Sequence, residues 1–303
     1  MRPKASDRLA RPESTTHRVH SRPGSCGIAP ADASALRDAT GGVACGWRRR
    51  SGRPLVGVRS LSRLGLIGDV HGEHVALRHA LAFLTSQSLD AIACVGDIAD
   101  GDGDVDDCCR QLASAAVDTV RGNHDRWLLD GVHRNWPGAT QHVEPETRQF
   151  LAERPPVHEY RTNRGVVVVG HGVGPDDEAQ CHFDTPASEV PALTPLLARP
   201  DLRCLIGGHT HRPMVRHFGQ VALINPGTLR HTRPQRVAVL DFDAARPQSE
   251  PSRGVWQRAD PAPQEPAIPV TSPTMLSSHD RIDVAFYRRL DDSQFVLECR
   301  GRA

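Results

Sequence analysis

Leu64-Gly65-Leu66-Ile67-Gly68-Asp69-Val70-His71-Gly72 is the stretch from which the fold is read. A short apolar run, Leu64–Ile67, breaks off into a turn bearing an aspartate and a histidine, so a buried strand hands over to a loop of metal-ligand side chains. The same event recurs four times. Ala91–Val95 runs into Gly96-Asp97, and Ala116–Val120 leads through Arg121 to Gly122-Asn123-His124-Asp125. Val166–Val169 ends in Gly170-His171-Gly172, and Cys204–Ile206 is followed by Gly208-His209-Thr210-His211. Glycine lets a chain turn sharply at a strand end, and open α/β sheets place their sites on such loops. Helix capping accounts for Asp or Asn at these turns. It does not account for histidine recurring beside them, and the five segments read as ligands gathered around metal.

Between the strands lie helical patterns. His74–Thr85 sets Val75, Leu77, His79, Leu81, Ala82 and Leu84 at near-helical spacing. Asp107–Ala115 and a segment starting at Arg126 read as further helices. Glu144-Pro145-Glu146 opens another that runs through Leu151 and ends at Pro155-Pro156. Val157–Arg161, the turn Asn163-Arg164-Gly165 and Val166–Val169 form an expected hairpin. Val215–Phe218, Val221–Ile224 and Arg236–Asp241 are expected strands. Strand-helix alternation followed by a run of strands predicts an α/β fold with mixed sheets packed as a sandwich, not a barrel.

The remaining composition bounds the molecule. Of 303 residues, 38% are hydrophobic, and the deficit sits at the two ends, leaving 61–243 as the segment able to bury a core. Residues 1–60 hold eleven Arg and one Lys against four acids, which predicts a disordered, Arg-rich extension without a secretory core. Residues 244–280 read as a Pro-rich linker. Within 281–303, Ile282–Arg288 and Gln294–Cys299 flank Asp291-Asp292, a hairpin or a loosely held tail. A net charge of +1 gives no general attraction to nucleic acid or to acidic membranes. Eight scattered cysteines without a CxxC pair suit reduced structural thiols and a cytoplasmic location. No apolar run approaches the ~18 residues of a membrane span. Nothing in the sequence specifies an oligomeric state.

In this order, the five segments resemble the calcineurin-like metallophosphoesterase superfamily, whose pattern is D-x-H, GD, GNH[D/E], an isolated H and GHxH. The resemblance covers about Leu61 to Asp243, and the motifs follow one another at 28, 26, 48 and 38 residues. It implies two packed β-sheets flanked by helices, an αββα sandwich with metals at its edge. Carried over by motif, one metal takes Asp69, His71 and His211. A second takes Asn123, His171 and His209, and Asp97 bridges both. Two divalent ions ~3.5–4 Å apart need a shared anionic ligand, which a carboxylate supplies and an imidazole does not. Mixed His and carboxylate ligation suits Mn, Fe, Zn or a similar ion better than Ca. The implied reaction is in-line attack on phosphorus by a hydroxide held between the metals. His124 protonates the leaving oxygen, Asp100 orients His124, and Arg121 grips the substrate phosphate.

The chain also departs from its relatives. Protein phosphatases carry GDxVDRG at the second motif, whereas Gly96-Asp97-Ile98-Ala99-Asp100-Gly101 lacks the arginine. Asp102, Asp104, Asp106 and Asp107 follow, an acidic loop that would repel a highly anionic substrate. That loop lacks the glycine and closing glutamate of an EF-hand, so it reads as a solvated polar loop. Gly207-Gly208-His209-Thr210-His211-Arg212-Pro213 and Asn225-Pro226-Gly227-Thr228 look like the small bacterial phosphodiesterases, which often have Cys where His124 stands. The expectation is metal-dependent hydrolysis of a small-molecule or nucleotide phosphodiester or monoester. The alternatives are a phosphoprotein Ser/Thr phosphatase and a non-catalytic scaffold.

Overall fold

Apolar runs without alternation belong to strands covered on both faces, and the central strands here are of that kind. The computed structural model describes residues 60–243, 257–258, 268–269, 282–290 and 294–302. In it β1 (Arg63–Ile67) runs parallel to β2 (Ala91–Cys94), which runs parallel to the two-residue β3 (Asp118–Thr119). On its other side β1 pairs antiparallel with β9 (Arg236–Asp241). Beyond β9 come β11 (Asp283–Arg289), β12 (Phe295–Arg302) and β10 (Gln257–Arg258), completing a seven-stranded sheet. The second sheet has the order β4 (Val157–Thr162), β5 (Gly165–Gly170), β6 (Leu202–Ile206), β8 (Val221–Asn225) and β7 (Met214–Phe218). Strands β5, β6 and β8 are parallel, and β4 and β7 are antiparallel edges.

The period-two alternation of side chains divides the core into three clusters. Leu64 and Leu66, Val167 and Val169, Ala222 and Ile224, and Ala238 and Leu240 meet between the two sheets. The opposite face of the first sheet, with Ile67, Val237 and Val239, is covered by helices. These are α1 (His74–Thr85), α2 (Val105–Ser114), α3 (Asn123–Asp130) and α4 (Pro145–Ala152). They contribute Leu77, Leu84, Leu112, Leu128 and Leu151. Val166, Val168, Val221 and Leu223 of the second sheet pack on Leu193 and Leu196 of the short α5 (Leu193–Leu197). The result is the four-layer α/β sandwich expected. Burying each such side chain is worth about 1.5–3 kcal/mol.

Three differences from the sequence expectation have local causes. The run Ala116–Val120 yields only the two residues of β3, because its start is used to end α2. Ala116 adopts a left-handed φ of 52° and its N–H donates to Ala113 O, while Val117 N–H donates to Leu112 O. Helix α2 begins at Val105 because the Asp104 carboxylate accepts the Asp107 N–H at 2.8 Å, an N-cap. The acidic loop is thus partly a helix start. Helix α3 begins at Asn123 and not near Arg126, so the third motif forms its first turn.

The C-terminal hairpin is part of the sandwich. β11 pairs with β9 in the register Val284↔Leu240 and Phe286↔Ala238, and Val284, Phe286 and Cys299 are buried between the sheets. Across β11, Arg236 of β9 forks onto Glu298 of β12 at 2.6 and 2.7 Å. The expected extension over 1–60 lies outside the described residues apart from Ser60, as does most of the expected linker. Within that linker, β10 pairs with β12 and Val215 N–H donates to Pro269 O at 3.1 Å. The six described cysteines are buried. No helix among the described residues is long and apolar enough to cross a membrane.

Candidate metal centre

The loops at the carboxyl ends of β1, β2, β5 and β6, with the first turn of α3, bring the motif residues together. Two groups of ligand atoms result, each within 4.8 Å of one another: Asp69, His71, Asp97 and His211, then Asp97, His171 and His209. Asp97 belongs to both. Asn123 Oδ1 completes the second group, 2.9 Å from His171 Nε2 and 3.0 Å from His209 Nδ1. In the first, His71 Nε2 and His211 Nε2 lie 2.9 Å apart, and Asp69 Oδ1 is 3.7 Å from His211 Nε2.

The surroundings aim each ligand inward. His71 Nδ1 donates to Asp100 O at 2.7 Å and His171 Nδ1 to Val95 O at 2.8 Å, which turns both Nε2 atoms toward the centre. Each buried carboxylate has one oxygen held by a backbone amide. Asp69 Oδ1 accepts His209 N–H and Asp97 Oδ1 accepts His124 N–H. The other oxygens, Asp69 Oδ2 and Asp97 Oδ2, are fully buried without a hydrogen-bond partner. Asp97 Oδ2 instead faces three imidazole nitrogens: His171 Nε2 at 3.1 Å, His71 Nε2 at 3.7 Å and His124 Nε2 at 4.0 Å. A buried carboxylate oxygen normally finds a donor or a cation. These buried oxygens, set among imidazole nitrogens, fit divalent cations.

The backbone is distorted where the ligands sit. His71, Asp97, His209 and His211 have φ of 49°, 47°, 62° and 57°, and Asp100 has 67°. Left-handed conformations in non-glycine residues cost about 1–3 kcal/mol each and collect at functional sites. Gly122 is required by close approach, since a Cβ there would lie 2.2 Å from Asp97 Oδ1.

Burial and neighbouring charges divide the protonation states of the cluster. Burial lowers His71 to about 4 and His211 to about 3, and Arg230 adds to both effects. Burial likewise lowers His209. These imidazoles are neutral at pH 7, as ligands must be. Burial raises Asp69 to about 7, with Asp97 adding to the rise. Burial alone would raise Asp97 and lower His171. Their mutual attraction prevails, holding Asp97 well below the usual carboxylate range and lifting His171 to about 10.

His124 stands beside the ligands, partly exposed. Its Nδ1 lies 2.7 Å from Asp100 Oδ2, with Nε2 turned toward Asp97. Burial lowers its pKa, but the Asp100 contact and Asp97 outweigh that and raise it above the ordinary value. Asp100 is in turn clamped by Arg134, whose Nη1 and Nη2 donate to Oδ1 and Oδ2 at 2.7 and 2.9 Å. Thr140 N–H donates to the same Oδ1 at 2.8 Å. Arg121 is half-buried at the mouth of α3, and no hydrogen bond or ion pair ties its guanidinium to another described residue. Arg212 is exposed. Of the acidic loop, Asp106 accepts Glu144 N–H and Asp107 faces Arg78 and Arg110. The two candidate clusters among the described residues include none of its acids.

Four contributors are invisible to motif reading: Arg134 on Asp100, Arg230 near His71 and His211, and Trp127 and Trp136, whose ring centroids lie 4.7 and 6.1 Å from that of His124. Arg134 and Trp136 lie in the aperiodic loop after α3, and only the folded chain brings them beside Asp100 and His124. Asp125 stands in the third motif, but its task emerges only here. It accepts the backbone N–H groups of Ile98, Ala99 and Gly122 at 2.8, 2.9 and 3.0 Å, locking the Asp97 loop to α3.

Comparison with known proteins gives a family match and several similar solved structures. The sequence model of the calcineurin-like phosphoesterase superfamily domain matches residues 63–245. No curated protein matches the chain. Among solved structures, a metallophosphoesterase from Sphaerobacter thermophilus is 22% identical, covering 61% of this chain and 85% of its own, with a TM-score of 0.48. A putative diadenosine tetraphosphatase is 20% identical over 61% and 91% of the two chains, at 0.43. Vacuolar Protein Sorting 29 from Cryptosporidium parvum is 14% identical over 80% and 98%, at 0.46.

Proposed function

We propose that this chain, which belongs to the calcineurin-like phosphoesterase superfamily, is a two-metal hydrolase of small-molecule or nucleotide phosphodiesters or monoesters. The observation that carries the reading is the shared carboxylate. Asp97 stands in both ligand clusters with a buried oxygen facing three imidazole nitrogens. Asp69, His71 and His211 would hold one divalent ion, and Asn123, His171 and His209 the other, with Asp97 between them. Bound there, ions of the Mn, Fe or Zn kind would lower the pKa of water and offset charge on the phosphoryl oxygens.

The protein groups supply the rest. His124, held through Nδ1 by Asp100, presents Nε2 toward the centre and can pass its proton to the departing alkoxide. The Asp100 contact raises the pKa of that imidazole, and such an acid contributes ~10²–10⁴-fold. Arg134 fixes the Asp100 carboxylate, so the imidazole has one orientation. Arg121 and Arg230 are guanidiniums available to substrate phosphate. Buried thiols support a cytoplasmic setting.

His124→Ala tests this reading against a non-catalytic scaffold. A hydrolase keeps its metal content and loses at least ~10²-fold in kcat. Equal turnover by wild type and variant would overturn the role given to His124, and no turnover in either would overturn the hydrolase reading in favour of the scaffold.

A further inference from the structure

One wall of the centre is aromatic, which phosphoester hydrolysis does not itself require. Trp127, three residues after His124 on α3, packs against the His124 imidazole with 4.7 Å between ring centroids and a 54° tilt. Trp136, from the loop after α3, meets the same imidazole edge-on at 6.1 Å and 75°. His133 extends the cluster, 4.7 Å from Trp127. Both tryptophans are only partly buried, so they keep accessible surface beside the acid.

Each ring is also held. Trp127 Nε1 donates to Glu178 Oε1 at 3.2 Å. Arg126 forks onto Asp177 at 2.8 and 3.0 Å and reaches Glu178 at 2.7 Å, which offsets the acids that anchor the ring. Trp136 lies against Gly138, where a Cβ would fall 2.2 Å from ring atom Cζ3 and 2.8 Å from Cη2. The ring occupies that place because residue 138 has no side chain.

We propose that Trp127 and Trp136 form a subsite for a planar aromatic group on the alcohol that leaves, selecting nucleoside or aryl phosphoesters over esters of plain sugars or alkanols. The inference rests on His124 as the leaving-group acid, since whatever lies beside His124 then lies beside the departing oxygen. A ring face stacks on indole without hydrogen-bond readout, so nucleobases and simple aryl groups share the chemistry.

The test uses matched pairs whose leaving oxygens are alike. AMP is compared with ribose 5-phosphate, and benzyl phosphate with cyclohexylmethyl phosphate, each also as its methyl diester. Within a pair, kcat/KM favours the aromatic member about tenfold or more in wild type. The ratio falls toward one in Trp127→Ala and Trp136→Ala, falls in Gly138→Ala, and is largely kept in the two Trp→Phe variants. A ratio taken within one protein cancels any loss of folded enzyme. Preference in the AMP pair alone identifies a nucleoside subsite, and preference in the benzyl pair alone a compact aryl one. Ratios near one in wild type, or unmoved in both alanine variants, overturn the subsite and leave the hydrolase standing. No turnover of any ester by metal-loaded wild type, bis-p-nitrophenyl phosphate included, overturns the hydrolase reading and the subsite with it.

Discussion

Asp125 shows how much a single side chain can carry without touching a ligand. Its carboxylate satisfies three buried amides that have no other partner in the motif loops. Asp125→Ala leaves them unpaired, with an expected loss of about 3 kcal/mol in denaturant unfolding and weaker metal retention. For Asp100→Asn a different readout applies. The Asp100 contact raises the His124 pKa, and a general acid must be protonated, so activity falls as pH climbs through that value. Removing the contact lowers the pKa, so the alkaline limb of kcat moves to lower pH and kcat falls about tenfold or more. An alkaline limb that stays in place would show that Asp100 does not act on His124. The ligands predict a further pH dependence. His171, near 10, and Asp69, near 7, carry protons at neutral pH in the metal-free protein and must release them to ligate. Metal binding therefore strengthens from pH 6 to 8 and releases about one to two protons, measurable by calorimetry in buffers of different ionisation enthalpy. At this scale the sequence was informative for side chains inside motifs. It was silent for Arg134, Arg230 and Trp136, whose positions depend on how an aperiodic loop and a distant strand end fold back.

At the scale of elements, strands were legible wherever both faces are buried, since Val166–Val169 or Ala91–Val95 can hardly sit anywhere else. Boundaries were less so. Ala116 could begin a strand by composition, yet the end of α2 claims it, and a helix cap outweighs two residues of β propensity. The start of α3 at Asn123 is hidden for a related reason: its N-cap is a glycine, and the stabilising carboxylate of Asp125 lies inside the helix. The C-terminal hairpin left two readings open, because seven short residues of strand look alike on a sheet and in a tail. Its pairing with β9 makes a sharp prediction. Phe286 is fully buried between the sheets, and Phe286→Ala is expected to cost about 3–5 kcal/mol in chemical denaturation. A cost below about 1 kcal/mol would mean that β11 is held loosely.

Over the whole molecule, the sandwich arranges parallel strands so that their carboxyl ends deliver five loops to one edge, where His71, Asp97, His209 and His211 hold left-handed backbone. Packing of 57 buried apolar side chains among the described residues holds those loops in a geometry they would not adopt alone. The order of motifs disclosed the fold and the side chains that cluster at its edge, because each motif reports a strand end. Substrate choice depends on walls such as Trp127 and Trp136, built from residues that no motif contains. The measurement that reaches the proposed chemistry most directly is turnover of bis-p-nitrophenyl phosphate by wild-type and Asp97→Ala protein, stripped with chelator and titrated with Mn while bound metal is counted. Activity should appear as the second metal binds to wild type and be absent from Asp97→Ala. Undiminished turnover in chelator or in Asp97→Ala, or no turnover with two metals bound, would contradict it.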